Sequence, residues 1–476
     1  MNAVLWRSGS QIVAQIVMWA STFFVIRLLN PTDYGLYAMT QGVLVLFSLL
    51  NGQGFASALV RAETVTPRQV RQVFGLLVLL NLGVALLQIA VAPVAARYFQ
   101  QPIVANLLLV QSLIYLANPL IVLPTALLGR AMDFRKQAKV NLVSAAVGAI
   151  TSLAGALAGL GVWTLVLAPL AMIWCRAIGM TLAARLFVWP SFRLAGAGST
   201  IRFGGAMLFS AFLWLIQTQA DIFIGGRALT AHQLGLYTTS LFLSQIVTNK
   251  FIPPLNEVAF TAYARLQHDA AGSDGVGRAF EKSARLIMML ALPFYFGLAA
   301  TARPFVLTML GAKWGEAAPI VAILALAMPF VTLQILFTPA TTALGHARIQ
   351  VMSAAAGAVI MPIAFFLGVG HGTTGLAWAW LIAFPLLTIV TARIAMPIIG
   401  TSAGALFRAI LPPLLAAGGM AAVVILVDGV TAVAAPALRL ALLVATGGVT
   451  YTALALIVAR PVLIEMLALF RRNRLG

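Results

Sequence analysis

A few polar and charged side chains sit inside an otherwise apolar chain of 476 residues, and their spacing is helical. Ser8, Gln11, Gln15 and Thr22 step by three, four and seven, which puts them on one helix face. Tyr37, Gln41, Ser48 and Asn51 do the same, as do Ser210, Trp214, Gln217 and Asp221, and Tyr237, Ser244 and Thr248. Such groups are unwelcome against lipid, so these faces point into a water-filled cavity or toward one another. Arg176 and Lys250 lie inside apolar runs, and Arg27 and Arg227 lie at the ends of two others. The chemistry on offer is hydrogen bonding and charge pairing, not bond cleavage. The four histidines are far apart, and the single cysteine, Cys175, allows no intrachain disulfide. No GxxxxGK[ST] phosphate loop is present, so no ATPase of the chain's own is expected.

The elements that position these groups are membrane helices. Hydrophobic residues make up 62% of the chain and charged ones 9%, whereas soluble domains carry about a quarter charged residues. Fourteen apolar runs are long enough to cross a bilayer: 11–29, 37–58, 73–95, 103–125, 140–160, 162–183, 203–226, 234–256, 286–304, 318–341, 351–369, 373–396, 409–427 and 438–459. Their length rules out the ten-residue alternating segments of a barrel. Lys and Arg residues follow the alternation: 22 of the 30 fall on the side of the termini and 6 on the other. The positive-inside rule therefore makes both termini cytoplasmic. This topology, not nucleic-acid binding, explains the net charge of +19. The longest polar stretch, about 260–285, carries the flexible composition of residues 270–275, and the helix of the eighth run is expected to break near Pro253-Pro254.

The chain also repeats itself. Arg27-Leu28-Leu29, five residues, then Gly35-Leu36-Tyr37 is echoed by Arg227-Ala228-Leu229, five residues, then Gly235-Leu236-Tyr237. The displacement is 200 residues, and six runs separate the copies, so the two halves are expected to be parallel repeats about an axis along the membrane normal. With Pro190 and the glycines near 196–198 marking the boundary, the domains are 1–190, 191–400 and a third part, 401–476, of two appended helices and a basic tail.

Several of these segments resemble the polysaccharide transporter family of the multidrug/oligosaccharidyl-lipid/polysaccharide (MOP) superfamily. They are 27–37, Gly54–Arg61, Arg130–Phe134, Gly159–Val166, Asp221–Arg227 and Ala262–Gln267, with Asn51 standing where the family suggests an acidic residue. The resemblance implies an all-α integral membrane fold of two six-helix bundles around a central cleft, plus two helices. It also implies a bacterial inner-membrane flippase, not an enzyme, that moves undecaprenyl-diphosphate-linked oligosaccharide repeat units outward for exopolysaccharide, capsule or O-antigen assembly. The partners it implies are the lipid-linked oligosaccharide, membrane lipids and a polysaccharide polymerase with export machinery. No cofactor is expected, and coupling would be to protons, sodium or the membrane potential.

Under that resemblance Arg176 becomes a contact for the diphosphate, Lys250, Gln15 and Gln41 further substrate contacts, and Trp214, Gln217 and Gln219 contacts for sugars, while Arg27 and Arg227 either bind the headgroup at the exit or close the outer gate by contacts with helix-end carbonyls. Asp221, the one acidic residue well inside a run, either pairs with Arg227 or binds a coupling ion. Simpler roles stand beside these: snorkelling for Arg176 and Lys250, interfacial anchoring for Arg27 and Arg227, and packing for Trp214. A cation-coupled antiporter of the same superfamily would want more intramembrane carboxylates, and a polymerase or ligase would want a catalytic constellation on a large outer loop.

Overall fold

A computed structural model describes residues 15, 21–48, 50, 66–186, 188–192, 198–267, 272–431 and 433–458. The expected residues Ser8, Gln11, Asn51 and 54–61, and the basic tail from 459, lie outside the described residues, as do the side chains of 198–211. Among the described residues there is no strand. The described residues form an all-α fold in which nine stretches are long and apolar enough to cross a membrane. Its residues group into two compact units: Met1–Leu215 with Thr230–Gly235, and Ile216–Leu229 with Leu236–Gly476.

In the first unit a helical stretch, 21–28, precedes α1 (Pro31–Ser48). Then come α2 (Pro67–Phe99), α3 (Ile103–Gln111), α4 (Leu113–Ala117), α5 (Pro119–Arg130), α6 (Phe134–Leu157), α7 (Val162–Ala183) and most of α8 (Gly198–Ala228). Helix α2 starts with a capping box, Thr66 and Gln69 each taking the other's backbone N–H, with Pro67 in the first turn. The expected run 103–125 becomes α3 to α5, interrupted at Ser112 and Asn118. Pro119 has no N–H to give the Tyr115 carbonyl, which accepts from Asn118 N–H instead. Helices α6 and α7 form a hairpin turned through Gly159 and Gly161, both at positive φ. Small residues bring them close: a Cβ on Gly155 would lie 3.0 Å from Thr164, and one on Gly179 2.7 Å from Val140.

The second unit holds most of α9 (Ala231–Leu266), α10 (Gly272–Ala300), α11 (Ala302–Met309), α12 (Ala317–Ala343), α13 (Arg348–Gly368), α14 (Gly372–Ile399), α15 (Ala403–Val430) and α16 (Pro436–Val458). One expectation fails here: helix α9 runs through Pro253 and Pro254 without a break. Of the polar stretch 260–285, α9 takes the part up to Leu266 and α10 starts at Gly272, while 268–271 lie outside the described residues. The prolines deprive only the Asn249 and Lys250 carbonyls of helical donors, at a position where both side chains are exposed. The appended helices α15 and α16 are built into this unit. Arg439 clasps Asp428 at 2.7 Å between them, and Tyr451 O–H donates to the Met289 carbonyl of α10. Ala417 packs into a core with Met288 and Leu292.

Candidate translocation site

The repeated segments meet in space. Gly35, in the first turns of α1, lies directly against the start of α9, whose residues 230–235 belong to the first unit. A Cβ on Gly35 would stand 1.8 Å from the Ala231 carbonyl oxygen, and one on Gly235 would stand 1.7 Å from that of Pro31. Each would also be 2.9 Å from the other glycine's nitrogen. The contact is therefore reciprocal, each helix presenting its first carbonyl to the glycine of the other. Both tips are fixed by reciprocal turns. The Asp33 carboxylate accepts from Asn30 N–H at 3.0 Å, and Thr230 and Gln233 exchange backbone-to-side-chain bonds at 3.1 and 3.2 Å. Asp33 also abuts Gly161, where a Cβ would be 2.9 Å from its Oδ1. Two of the motifs that carried the resemblance thus touch.

Within the first unit a ladder of buried amides follows. Thr40 accepts from Gln111, Tyr115 O–H donates to Gln88 Oε1, Gln88 donates to the Leu108 carbonyl, and Asn118 donates to Asn81. Sequence reasoning missed this ladder, although Asn81 and Gln88, and Gln111, Tyr115 and Asn118, have the same helical spacing as the stripes it used. Arg176 of α7 is half-buried, and its Nε is shut off from solvent with no hydrogen-bond partner among the described residues. Gln15 and Gln41 are half-buried, whereas Arg27 and Trp214 are exposed, Trp214 at 52%.

In the second unit Asp221 is 1% exposed. Its carboxylate accepts from Tyr237 O–H at 2.7 Å and from its neighbour's Ile222 N–H at 2.8 Å; Trp380 N–H donates to the same tyrosine oxygen at 2.7 Å. The Asp221 carboxylate takes these bonds and not the expected pairing with Arg227, which is exposed while Asp221 is buried. Trp380 was missed, since nothing in an apolar run distinguishes it from packing. Gln217 lies flat on Gly357, where a Cβ would meet its Oε1 at 2.3 Å. Lys250 and Arg227 are exposed, and Gln219 is half-buried.

The stripe Tyr237, Ser244, Thr248 does not line a cavity. All three are at most 2% exposed. Ser240 and Ser244 donate to the carbonyls four residues back, and Thr248 bonds Tyr295 and Thr332. A helical hydroxyl can satisfy itself on its own backbone, so polarity at that spacing does not require water.

This arrangement of membrane helices has the fold of MOP-superfamily transporters. It matches a solved structure of lipid II flippase MurJ in an inward closed conformation, with a TM-score of 0.75 at 14% identity over 97% of this chain and all of that one. Residues 24–319 match the family described as Polysaccharide biosynthesis protein, and the chain belongs to that family, the polysaccharide transporter branch of the MOP flippases, which are transporters and not enzymes. It is 26% identical to the succinoglycan biosynthesis transport protein ExoT of Rhizobium meliloti (strain 1021), over 76% of this chain and 73% of that one. It is 22% identical to the teichuronic acid biosynthesis protein TuaB of Bacillus subtilis (strain 168), over 88% and 87%.

Proposed function

We propose that this protein carries undecaprenyl-diphosphate-linked oligosaccharide repeat units from the cytoplasmic to the periplasmic leaflet of a bacterial inner membrane, with both termini cytoplasmic. The observation that carries this reading is family membership over 24–319, together with relatives named for succinoglycan transport and teichuronic acid biosynthesis. The physical need is plain. Each hydroxyl taken bare into hydrocarbon costs several kcal/mol, on the order of 2–7, so a sugar head must be sheltered while its lipid tail stays in the bilayer. Residues 1–190 and 191–400 act as the two bundles enclosing a cleft, and 401–476 supports the second.

Arg176 is the leading diphosphate contact, because its partly buried guanidinium leaves Nε unsatisfied. Exposed Arg27, Arg227 and Lys250 serve the anion at the ends of its path, and Gln15, Gln41, Trp214 and Gln217 serve the sugars. Moving negative charge outward is favoured by an inside-negative potential, at about 2.3 kcal/mol per charge per 100 mV. Asp221 is the candidate for binding a coupling proton or sodium ion. The transferred units would pass to a polymerase and export machinery.

Deletion of the protein followed by analysis of lipid-linked intermediates tests this. Complete repeat units should accumulate facing the cytoplasm, and Arg176→Gln should reproduce the defect at normal membrane levels. Single units accumulating on the outer leaflet would point to a polymerase instead, and no change in lipid-linked intermediates would favour the small-molecule antiporter.

A further inference from the structure

We propose that the groove between α13 and α14 holds one acyl chain of a membrane glycerophospholipid, with the lipid's phosphate at the turn that joins the two helices. The groove has a volume of about 690 Å³ and lies within the second unit. Its shape follows from the sequence. Beside the turn, Gly368 and Gly375 bring the two backbones together: a Cβ on Gly368 would stand 2.5 Å from the Gly375 carbonyl oxygen, and one on Gly375 2.0 Å from that of Gly368. Further along, the floor is Ala364, Ala379 and Ala383, too small to fill the space between the helices. Ile363 and Leu367 of α13 and Ile382 and Leu386 of α14 form the walls. These are exposed, Leu367 at 70% and Ile382 at 67%, as side chains that meet lipid are.

The polar groups gather at one end. His371 and Thr374 stand at the turn, and of the remaining lining side chains only Trp378, a residue type enriched at headgroup depth, can hydrogen-bond. The first N–H groups of α14 have no helical acceptor and add to the attraction for an anion there. From Thr374 to Leu386 the groove follows α14 for about 18 Å at 1.5 Å per residue, close to one leaflet's half of a hydrocarbon core about 30 Å thick. A diacyl phospholipid has this pattern, a phosphate at the membrane surface above an unbranched chain one leaflet deep. An undecaprenyl chain is methyl-branched and far longer than the groove. Next to the floor, Trp380 stacks on Phe384 with ring centroids 4.8 Å apart, and its N–H reaches the Tyr237 oxygen that holds Asp221. A chain in the groove therefore backs the helix that carries this row.

The test places the full chain in vesicles containing a phosphatidylethanolamine with a diazirine in its acyl chain, irradiates them and maps the adducts by peptide mass spectrometry. Adducts on residues 360–386 should exceed several-fold those on α16, where Val449 and Ile457 are as exposed. Ala364→Leu, which fills the floor, should remove most of that excess, whereas Val359→Leu, outside the groove, should leave it. Should Ala364→Leu fail to insert, Leu367→Ala with Ile382→Ala, which trims both walls at exposed positions, should give the same loss. A diazirine-bearing diacylglycerol, which lacks the phosphate, should label the groove more weakly, and His371→Ala should narrow the difference. Even labelling of all exposed faces, or labelling that ignores the floor and wall variants, overturns the proposal, and equal labelling by the diacylglycerol overturns the phosphate's place at the turn. Displacement by undecaprenyl phosphate but not by unlabelled phosphatidylethanolamine overturns it in favour of a polyprenyl tail. None of these readouts depends on export, so the flippase reading stands or falls separately.

Discussion

The two units solve the problem of polar groups in a membrane differently. In the first, long amides reach across to other helices: Gln88 to Tyr115 and Leu108, Asn118 to Asn81, Gln111 to Thr40. In the second, Ser240 and Ser244 on α9 turn back on their own helix, and the buried Asp221 carboxylate is held by a tyrosine and a backbone amide. An amide has more donors and acceptors than its own turn can satisfy: Asn81 donates back to the Leu77 carbonyl and still accepts from Asn118 of another helix. A serine asks nothing of its neighbours. The first unit is therefore cross-linked by side-chain amides along α2, whereas α9 is tied to its neighbours by hydroxyl and aromatic groups, Thr248 to Tyr295 and Thr332 and Tyr237 to Asp221 and Trp380.

Breaking the Asp221 site should produce the largest effect. Tyr237→Phe strips a buried carboxylate of its O–H donor and Trp380 of its acceptor, which should cost roughly 1.5–3 kcal/mol, read as loss of unfolding temperature in detergent. Full stability would show that the tyrosine hydroxyl does not hold this site together. Next comes the amide ladder. Gln88→Leu leaves the buried Tyr115 O–H unpaired, while the Leu108 carbonyl keeps Ser112 N–H, and should cost about 1–3 kcal/mol; Gln88→Leu with Tyr115→Phe should recover part of the loss.

The contrast is sharpened by Ser244→Ala, where only a bond to the helix's own backbone is removed. The expected change is within about 0.6 kcal/mol, and a loss equal to that of Gln88→Leu would erase the distinction. The smallest effect belongs to Asp133, the N-cap of α6, which accepts from Lys136 N–H and pairs with its ammonium at 2.8 Å. These bonds hold its carboxyl below the usual range. Its stabilisation is present above the unfolded carboxylate pKa and fades as pH falls through the lowered folded value. Comparing Asp133→Asn with the parent in thermal unfolding at acidic and neutral pH should show the parent alone losing stability on acidification.

Helix placement was largely legible because a bilayer demands long apolar runs and the chain has few charges to blur them; 162–183 is reproduced residue for residue as α7. What sequence could not show is what a polar face looks at. Tyr237, Ser244 and Thr248 have the spacing of a wet stripe and are dry, because periodicity reports a common face but not its neighbour. The α9 prolines misled for a related reason: a missing N–H weakens a helix locally, yet packing of the remaining turns carries it through. The repeat, in contrast, was readable as Arg-x-Leu and Gly-Leu-Tyr recurring 200 residues apart, and its two glycines lie where two backbones touch.

Helix α9 has 36 residues, and at 1.5 Å per residue it is about 54 Å long, well beyond a hydrocarbon core of about 30 Å. An object of that length works as a lever. A tilt of about 10° pivoting at one tip swings the far tip through roughly 9 Å, by the same rise per residue. Small rearrangements at the Ala231 tip are thereby magnified at the opposite face of the membrane, and a continuous rod through Pro253 and Pro254 transmits what a jointed one would absorb.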